Sequence, residues 1–322
     1  MKAVYIEKTG GTEALIYGER PKPEPGAGEV LVKLAASGVN FIDTYHRTGL
    51  YKLPLPAIIG SEGAGTVEET GDGVSGFKPG DRVAYAMARG SYAEYQSVPA
   101  KLLVKVPEGV ELRDAAAVML QGMTAYYLTH STFVVKPGHT ALVHAAAGGT
   151  GGLLVQMAVM RGAKVIATAG TKAKAALARE AGASEVILYD EQPDWAPEVK
   201  RLTGGAGVDV VYDSVGQSTF LKGLDCLKPM GYMVSFGQSS GPVRAFDILL
   251  LSAKGSLYVT RPTLANHIGA EQLASSTADI FGWMKAGKLK LRTGNRYKLA
   301  NAARAHEDLE GRKTTGKLIL DI

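Results

Sequence analysis

The stretch Thr140-Ala-Leu-Val-His-Ala-Ala-Ala-Gly-Gly-Thr-Gly-Gly-Leu-Leu-Val-Gln-Met-Ala-Val-Met-Arg161 reads as a buried strand, a glycine turn and a helix in direct succession. Ala141 to Ala145 form a short apolar run, Gly148, Gly149, Gly151 and Gly152 supply the turn, and Leu153 to Met160 stay apolar over a helical length. Such a turn lets backbone approach a pyrophosphate, and the N–H groups that open a helix lack intrahelical partners and point at its oxygens. The spacing departs from G-x-G-x-x-G, because Ala145 and Gly148 take the first two glycine places and Gly151 the third. Context strengthens the motif. A second strand follows at Ala163-Lys-Val-Ile-Ala-Thr-Ala169, ending about 20 residues past the turn, where the ribose-reading residue of such folds stands. The stretch is also long and apolar enough to mimic a membrane span, but its glycines and His144 favour strand plus helix.

An NAD-reading site places Asp or Glu at the end of that second strand, accepting from both ribose hydroxyls. Here Ala169-Gly170-Thr171 stand there, with Lys172 and Lys174 just beyond. A 2′-phosphate is attracted where a carboxylate would repel it, so the residues favour NADP(H).

Around this stretch, 322 residues suit two domains, and 46% hydrophobic with 21% charged residues is a globular composition. The excess of 36 Lys and Arg over 31 Asp and Glu, a net +5, is dispersed along the chain and gives no basic block of the kind that binds nucleic acid. Met1-Lys-Ala-Val-Tyr-Ile-Glu-Lys8 lacks the apolar run of a signal peptide, so a cytoplasmic protein is expected. A single cysteine, Cys226, forbids an internal disulfide or a multi-cysteine metal site.

From Met1 to about Gly122 the pattern is β structure with many glycine turns: Lys2 to Ile6, Glu29 to Ala36, Ala64 to Glu69, Arg82 to Ala86 and Ala93 to Pro99 are strand-length pieces. Leu112 onward and Thr124 onward read as two helices interrupted at Gln121-Gly122. After Arg161, helices at 172–181, 195–202 and 218–227 alternate with strands at 185–188, 209–213, 231–236 and 256–260, which points to a parallel doubly wound sheet. The tail carries helices at 270–286 and 299–310 and ends in Lys317-Leu-Ile-Leu-Asp-Ile322, a strand expected to return to the first domain.

Six segments stand out: Gly38-Val-Asn-Phe-Ile-Asp-Thr-Tyr45, Arg47-Thr-Gly-Leu-Tyr51, Ala145-Ala-Ala-Gly-Gly-Thr-Gly151, Val211-Tyr-Asp-Ser-Val-Gly216, Val234-Ser-Phe-Gly237 and Gly255-Ser-Leu-Tyr-Val-Thr-Arg-Pro262. Together they resemble the zinc-independent quinone oxidoreductase (zeta-crystallin-like) branch of the medium-chain dehydrogenase/reductase superfamily, over essentially the whole chain. The resemblance implies an α/β fold in which a Rossmann doubly wound parallel sheet is inserted into a GroES-like β-rich catalytic domain. Its divisions fall at 1–123 (GroES-like, first part), 124–262 (Rossmann) and 263–322 (return to the catalytic domain). It implies NADP(H) in an interdomain cleft, a small-molecule quinone substrate and a homodimer.

Carried over residue by residue, the adenosine phosphate is expected near Gly170, Thr171, Lys174, Tyr189 and Arg312, and the pyrophosphate at Gly148, Gly149 and Thr150. The nicotinamide side is expected near Asn40, Phe41, Ile42, Asp43, Thr44, Thr124 and Tyr127, with Ser214, Ser235, Phe236, Gly237, Gln238, Val259 and Arg261 lining the groove. Thr150 stands where the family commonly has Val, and Gln121 where some relatives carry Lys.

Zinc-dependent cousins need Cys or His ligands near the positions held here by Ser37-Gly-Val-Asn40 and Gly60-Ser-Glu62, and four clustered cysteines for a structural ion; the sequence has neither set, and no metal is expected. His46 is a lone histidine, a type that more often packs than ligates. Without those ligands the means of stabilising an alkoxide is missing, whereas reduction of an electrophilic acceptor stays feasible. Asn40, Tyr45 and Tyr51 are the candidates for holding the quinone oxygens or supplying a proton. Their structural reading is a helix cap for Asn40 and packing for the tyrosines. Alternatives are a 2-enoyl or alkenal double-bond reductase on the same scaffold, and a non-catalytic NADPH-binding structural or RNA-binding protein, against which the dispersed charge weighs.

Overall fold

The computed structural model describes all 322 residues, in two compact units: Met1–Met123 with His267–Ile322, and Thr124–Asn266. The first unit opens with β1 (Lys2–Ile6), β2 (Ile16–Glu19), β3 (Glu29–Val39), α1 (Phe41–Thr48), β4 (Ala57–Ile58), β5 (Glu62–Thr70), β6 (Arg82–Ala86), β7 (Tyr95–Pro99) and β8 (Leu103–Lys105). The helix α2 (Leu112–Tyr127) then carries the chain into the second unit. That unit contains β9 (Thr140–Val143), α3 (Gly149–Met160), β10 (Lys164–Ala169), α4 (Lys172–Glu180), β11 (Glu185–Leu188), α5 (Ala196–Leu202), β12 (Val208–Asp213), α6 (Phe220–Cys226), β13 (Leu227–Ser235), α7 (Leu249–Ala253) and β14 (Tyr258–Thr260). The chain returns to the first unit with α8 (Ala270–Lys285), β15 (Thr293–Lys298), α9 (Ala302–Glu310) and β16 (Lys317–Asp321). No helix is long and apolar enough to cross a membrane.

In the second unit the strands run parallel in the order β11-β10-β9-β12-β13-β14. The order reverses between β9 and β12, the switch point at whose carboxyl ends doubly wound sheets bind ligands. The core beneath is Leu142, Ile166, Val211, Phe220 and Met233, all fully or nearly fully buried.

The first unit is built on β3, which pairs antiparallel with β5, β7 and β16. The terminal strand thus returns to the first domain, as its apolar run predicts, by aligning Leu318–Asp321 against Val39–Ala36. Its sheet order is β15-β16-β3-β5-β6-β8, and β2-β1-β4 forms a second small sheet.

Three expectations are corrected. The region before Gly122 is not β alone, because α1 interrupts it: the Asp43 carboxylate accepts the Asn40 backbone N–H (2.9 Å), closing the helix start, and Gly49 ends it at φ +82°. Gln121-Gly122 does not break a helix; α2 is continuous, and a Cβ at Gly122 would stand 2.9 Å from Val118 Cγ2, so the glycine serves close packing. The tail carries an unexpected strand, β15, whose sequence Thr-Gly-Asn-Arg-Tyr-Lys lacks an apolar alternation.

β3 and β5 approach so closely that a Cβ at Gly65 would overlap the Lys33 carbonyl oxygen, next to a bulge in their register. Gly65→Ala is therefore expected to cost about 3 kcal/mol or more in urea unfolding. Gly73→Ala, at φ +75° with open space around it, should cost only about 1 kcal/mol. Equal losses would show that the steric argument is wrong.

Candidate active site

In the second unit the expected nucleotide-binding residues gather at the carboxyl ends of β9, β10, β11, β12 and β13. Ala145 leaves β9 at φ +52°, and the turn closes with Gly148 N–H donating to the Ala145 carbonyl (2.9 Å). Gly148 is the N-cap of α3 and brings no side-chain oxygen to the helix start, so the opening N–H groups there keep their donors for a ligand. A Cβ at Gly151 would strike the Ala145 carbonyl, which makes the third glycine place the contact between turn and helix. A Cβ at Gly148 would meet only that carbonyl oxygen, at 3.2 Å, with open space around it otherwise. Bare donors and an open cradle fit a dinucleotide pyrophosphate.

Beyond β10, Thr171 caps α4, its hydroxyl accepting from the Lys174 backbone N–H (3.2 Å), and the Tyr189 hydroxyl lies beside Gly170. Two acidic residues without a sequence signal also stand here: Asp190, whose carboxylate reaches the same glycine, and Glu191, 3.7 Å from the Lys172 ammonium. Asp213 ends β12 buried, its Oδ1 accepting from Val215 and Gly216 N–H and from the Thr219 hydroxyl, which fixes the turn carrying Ser214. Phe236 and Gly237 donate back to the Asp213 carbonyl, so Ser235 to Gln238 follow β13 tightly. Arg261 donates to the Ser235 carbonyl (3.0 Å), and its charge also acts on the buried Tyr127 hydroxyl, whose pKa burial pushes up. Thr124, a few residues earlier on α2, is buried. Val259 lies on the edge strand β14. Arg312 belongs to the other unit, in the turn after α9 at φ +54°.

In the first unit Asn40 closes β3, and Phe41, Ile42, Asp43, Thr44 and Tyr45 lie on α1. The Phe41, Tyr45 and Tyr51 rings form a run, with centroids 6.4 Å and 5.3 Å apart. His46 stacks edge-on to Tyr51 at 5.9 Å; its Nδ1 is buried without a partner, and burial lowers its pKa.

Behind Asn40 lies a cluster the sequence did not disclose. Glu62 and Lys317, both wholly buried, form an ion pair. Glu62 also accepts from Asn40 Nδ2 (2.7 Å) and from the Leu120 backbone N–H (2.7 Å), while the Lys317 ammonium donates to Asn40 Oδ1 (2.7 Å). Asp43, also wholly buried, accepts from the Ser61 hydroxyl (2.6 Å), the Asn40 N–H and the Tyr92 hydroxyl (3.2 Å). Tyr92 contacts His306 Nε2 (3.1 Å), and Arg47 donates to His306 Nδ1 (3.1 Å) while gripping Glu310 through two bonds. Arginine is only a donor, so the proton of His306 sits on Nε2 and every hydrogen in this chain points toward Asp43. Burial, then the Arg47 charge, lowers the His306 pKa to about 3, so the ring is neutral. Two weak signals existed in the sequence: a glutamate inside a Gly-Ala run, and a lysine opening an apolar terminal strand.

Burial raises the Asp43 pKa from 3.8 to about 6, opposed by its hydrogen bonds from Ser61 and Asn40. A folded value above the unfolded one adds stability fully present below about 4 and lost as pH rises through 6. Relative to Asp43→Asn, the wild-type protein should thus gain roughly 2 kcal/mol between pH 7 and pH 4 in urea unfolding; a gap independent of pH would contradict the assignment. In the cradle, Gly148→Ala should keep the melting temperature and weaken dinucleotide binding in a fluorescence titration, whereas Gly151→Ala should lower the melting temperature itself.

Comparison with known proteins places these features. Residues 26–108 match the alcohol dehydrogenase GroES-like domain and residues 149–273 the zinc-binding dehydrogenase family. No three His, Cys, Asp or Glu side chains group so as to hold a metal ion. A quinone oxidoreductase of Pseudomonas aeruginosa is 46% identical, covering 99% of each chain. A 2-haloacrylate reductase of Burkholderia sp is 42% identical, over 99% of this chain and 98% of that one. The crystal structure of Escherichia coli quinone oxidoreductase complexed with NADPH superposes with a TM-score of 0.97 at 43% identity, covering both chains completely. With full-length identity at this level and both domain families in order, the chain belongs to the quinone oxidoreductase family of the medium-chain dehydrogenase/reductase superfamily.

Proposed function

We propose that this chain is a cytoplasmic NADPH-dependent quinone oxidoreductase, with 124–262 as its nucleotide-binding domain and 1–123 with 263–322 as its catalytic domain. The observation that carries the reading is the open glycine cradle before α3, joined to a β10 end that presents Gly170, Thr171 and Lys174 in place of a carboxylate. A relative that matches over the whole of both chains and was solved with NADPH supports it.

NADPH, when bound, supplies the hydride. The chain's residues bind, orient and exclude water. In this reading Gly149 and Thr150 N–H groups hold the pyrophosphate, and Lys174 and Tyr189 the adenosine phosphate. Phe41, Tyr45 and Tyr51 offer an aromatic wall for a flat quinone ring. Reduction of a quinone yields an aromatic product, so a strong protein acid is not required. The likeness to 2-haloacrylate reductase supports a second reading, reduction of an activated C=C bond, which needs in addition a proton delivered to carbon.

We also infer a homodimer joined at β14. This three-residue strand is the open edge of the parallel sheet, and Tyr258, Met230, Ile248 and Leu249 are 50%, 63%, 72% and 68% exposed.

Steady-state oxidation of NADPH and NADH against naphthoquinone and an activated enone tests the assignment. NADPH with quinone should be the preferred pair, and preference for the enone would move the chain to the second reading. Lys174→Ala should raise KM for NADPH about five- to tenfold and leave NADH unchanged, the loss expected for one phosphate contact. Asp190→Asn should act in the opposite direction, because its carboxylate lies beside Gly170.

A further inference from the structure

The amide of Asn40 is fully committed within the protein. Its orientation is fixed from both sides, with Oδ1 facing the Lys317 ammonium and Nδ2 facing the Glu62 carboxylate, each at 2.7 Å. Its second amide hydrogen is directed at the Gly38 carbonyl (3.4 Å), and Oδ1 also receives Gln121 Nε2 (3.4 Å). Two donors and two acceptor sites are therefore occupied. The same frame orients Gln121: the atom facing Asn40 Oδ1 must be the nitrogen, and the preceding residue, Leu120, is pinned by its N–H bond to Glu62. The Gln121 oxygen Oε1 is left buried with no hydrogen-bond partner. A buried acceptor without a donor is costly to keep, and a donor brought by a ligand would relieve that cost.

We propose that Gln121 is a specificity-determining residue whose side-chain oxygen accepts a hydrogen bond from an N–H or O–H donor of the bound ligand, and that the Glu62–Lys317 pair is the device that positions it. This rests on the quinone oxidoreductase reading. Two donors have that chemistry: the carboxamide N–H of a nicotinamide and the hydroxyl of a hydroquinone product. A quinone has only acceptors whereas a hydroquinone has donors, so a contact to the hydroxyl strengthens as reduction proceeds, which favours the product-like state.

Gln121→Met keeps the volume and removes the acceptor. In the ligand-free protein its melting temperature should equal or exceed that of the wild type, because no oxygen is then buried unpaired. Affinity for the donor-bearing ligand should fall about five- to thirtyfold, the range for one buried hydrogen bond. Fluorescence titration with NADPH and with its 3-acetylpyridine analogue, which lacks the amide N–H, reads the first source. Product inhibition by naphthohydroquinone against its dimethyl ether reads the second. Selective weakening of NADPH supports the carboxamide, and selective weakening of the hydroquinone supports the hydroxyl. Unchanged affinity for all four, or equal weakening within each pair, overturns the proposal.

The double variant Glu62→Gln with Lys317→Met removes both charges without leaving one buried alone. It should fold and show the same donor-selective loss; wild-type affinities in that variant overturn the positioning role. If the wild-type enzyme turns over no quinone with NADPH, the functional reading fails instead, while the titrations still test Gln121.

Discussion

The first unit depends on a buried ion pair. Glu62 and Lys317 are both inaccessible to solvent, and two charges removed from water persist only where hydrogen bonds complete their coordination. Here β3 delivers Asn40, β5 delivers Glu62, β16 delivers Lys317 and α2 delivers a backbone N–H, all to one carboxylate and its counter-ion. The room for the pair comes from Gly38, where any Cβ would collide with both partners. Burial lowers the lysine's pKa, and the adjacent glutamate opposes that shift. Removing either charge strands the other in the same medium, so four elements of distant sequence are held to one register.

A second network leans on the first. Asp43 closes the start of α1 and receives a directed series of donors from Arg47 through His306 and Tyr92. His306 and Glu310 belong to α9, so the last fifty residues both complete the sheet through β16 and brace α1, the helix that carries Phe41 and Tyr45. This explains why the chain returns to its first domain after building the second. The helix bearing the candidate substrate-side residues is anchored from behind by groups that never need to meet a ligand.

Local patterns were legible where local forces decide. The strands and helices from β9 to β13 follow the expected alternation, because short apolar runs and helical periodicity alternate there, whereas α7 carries no such signal. The glycine turn was also readable, since its geometry is set by residues within a few positions of one another. The helix α1 was missed because its start depends on Asn40 and Asp43 embedded in a β-rich pattern, and β15 because its pairing with β16 carries little apolar signal. The continuity of α2 through Gly122 is a packing outcome, decided by Val118 and Ile280 beside the glycine.

What the sequence by itself determined is the fold class and the glycine turn that opens α3, because backbone freedom at glycine and periodic burial act over short spans. Only the tertiary structure decided that Asn40 is spent on Glu62 and Lys317, that Gln121 is left with an unmatched oxygen, and that Asp43 titrates well above an ordinary aspartate. Those properties come from desolvation and from partners up to 277 residues apart in the chain. No periodicity or spacing encodes such a distance; it exists once β16 has paired with β3.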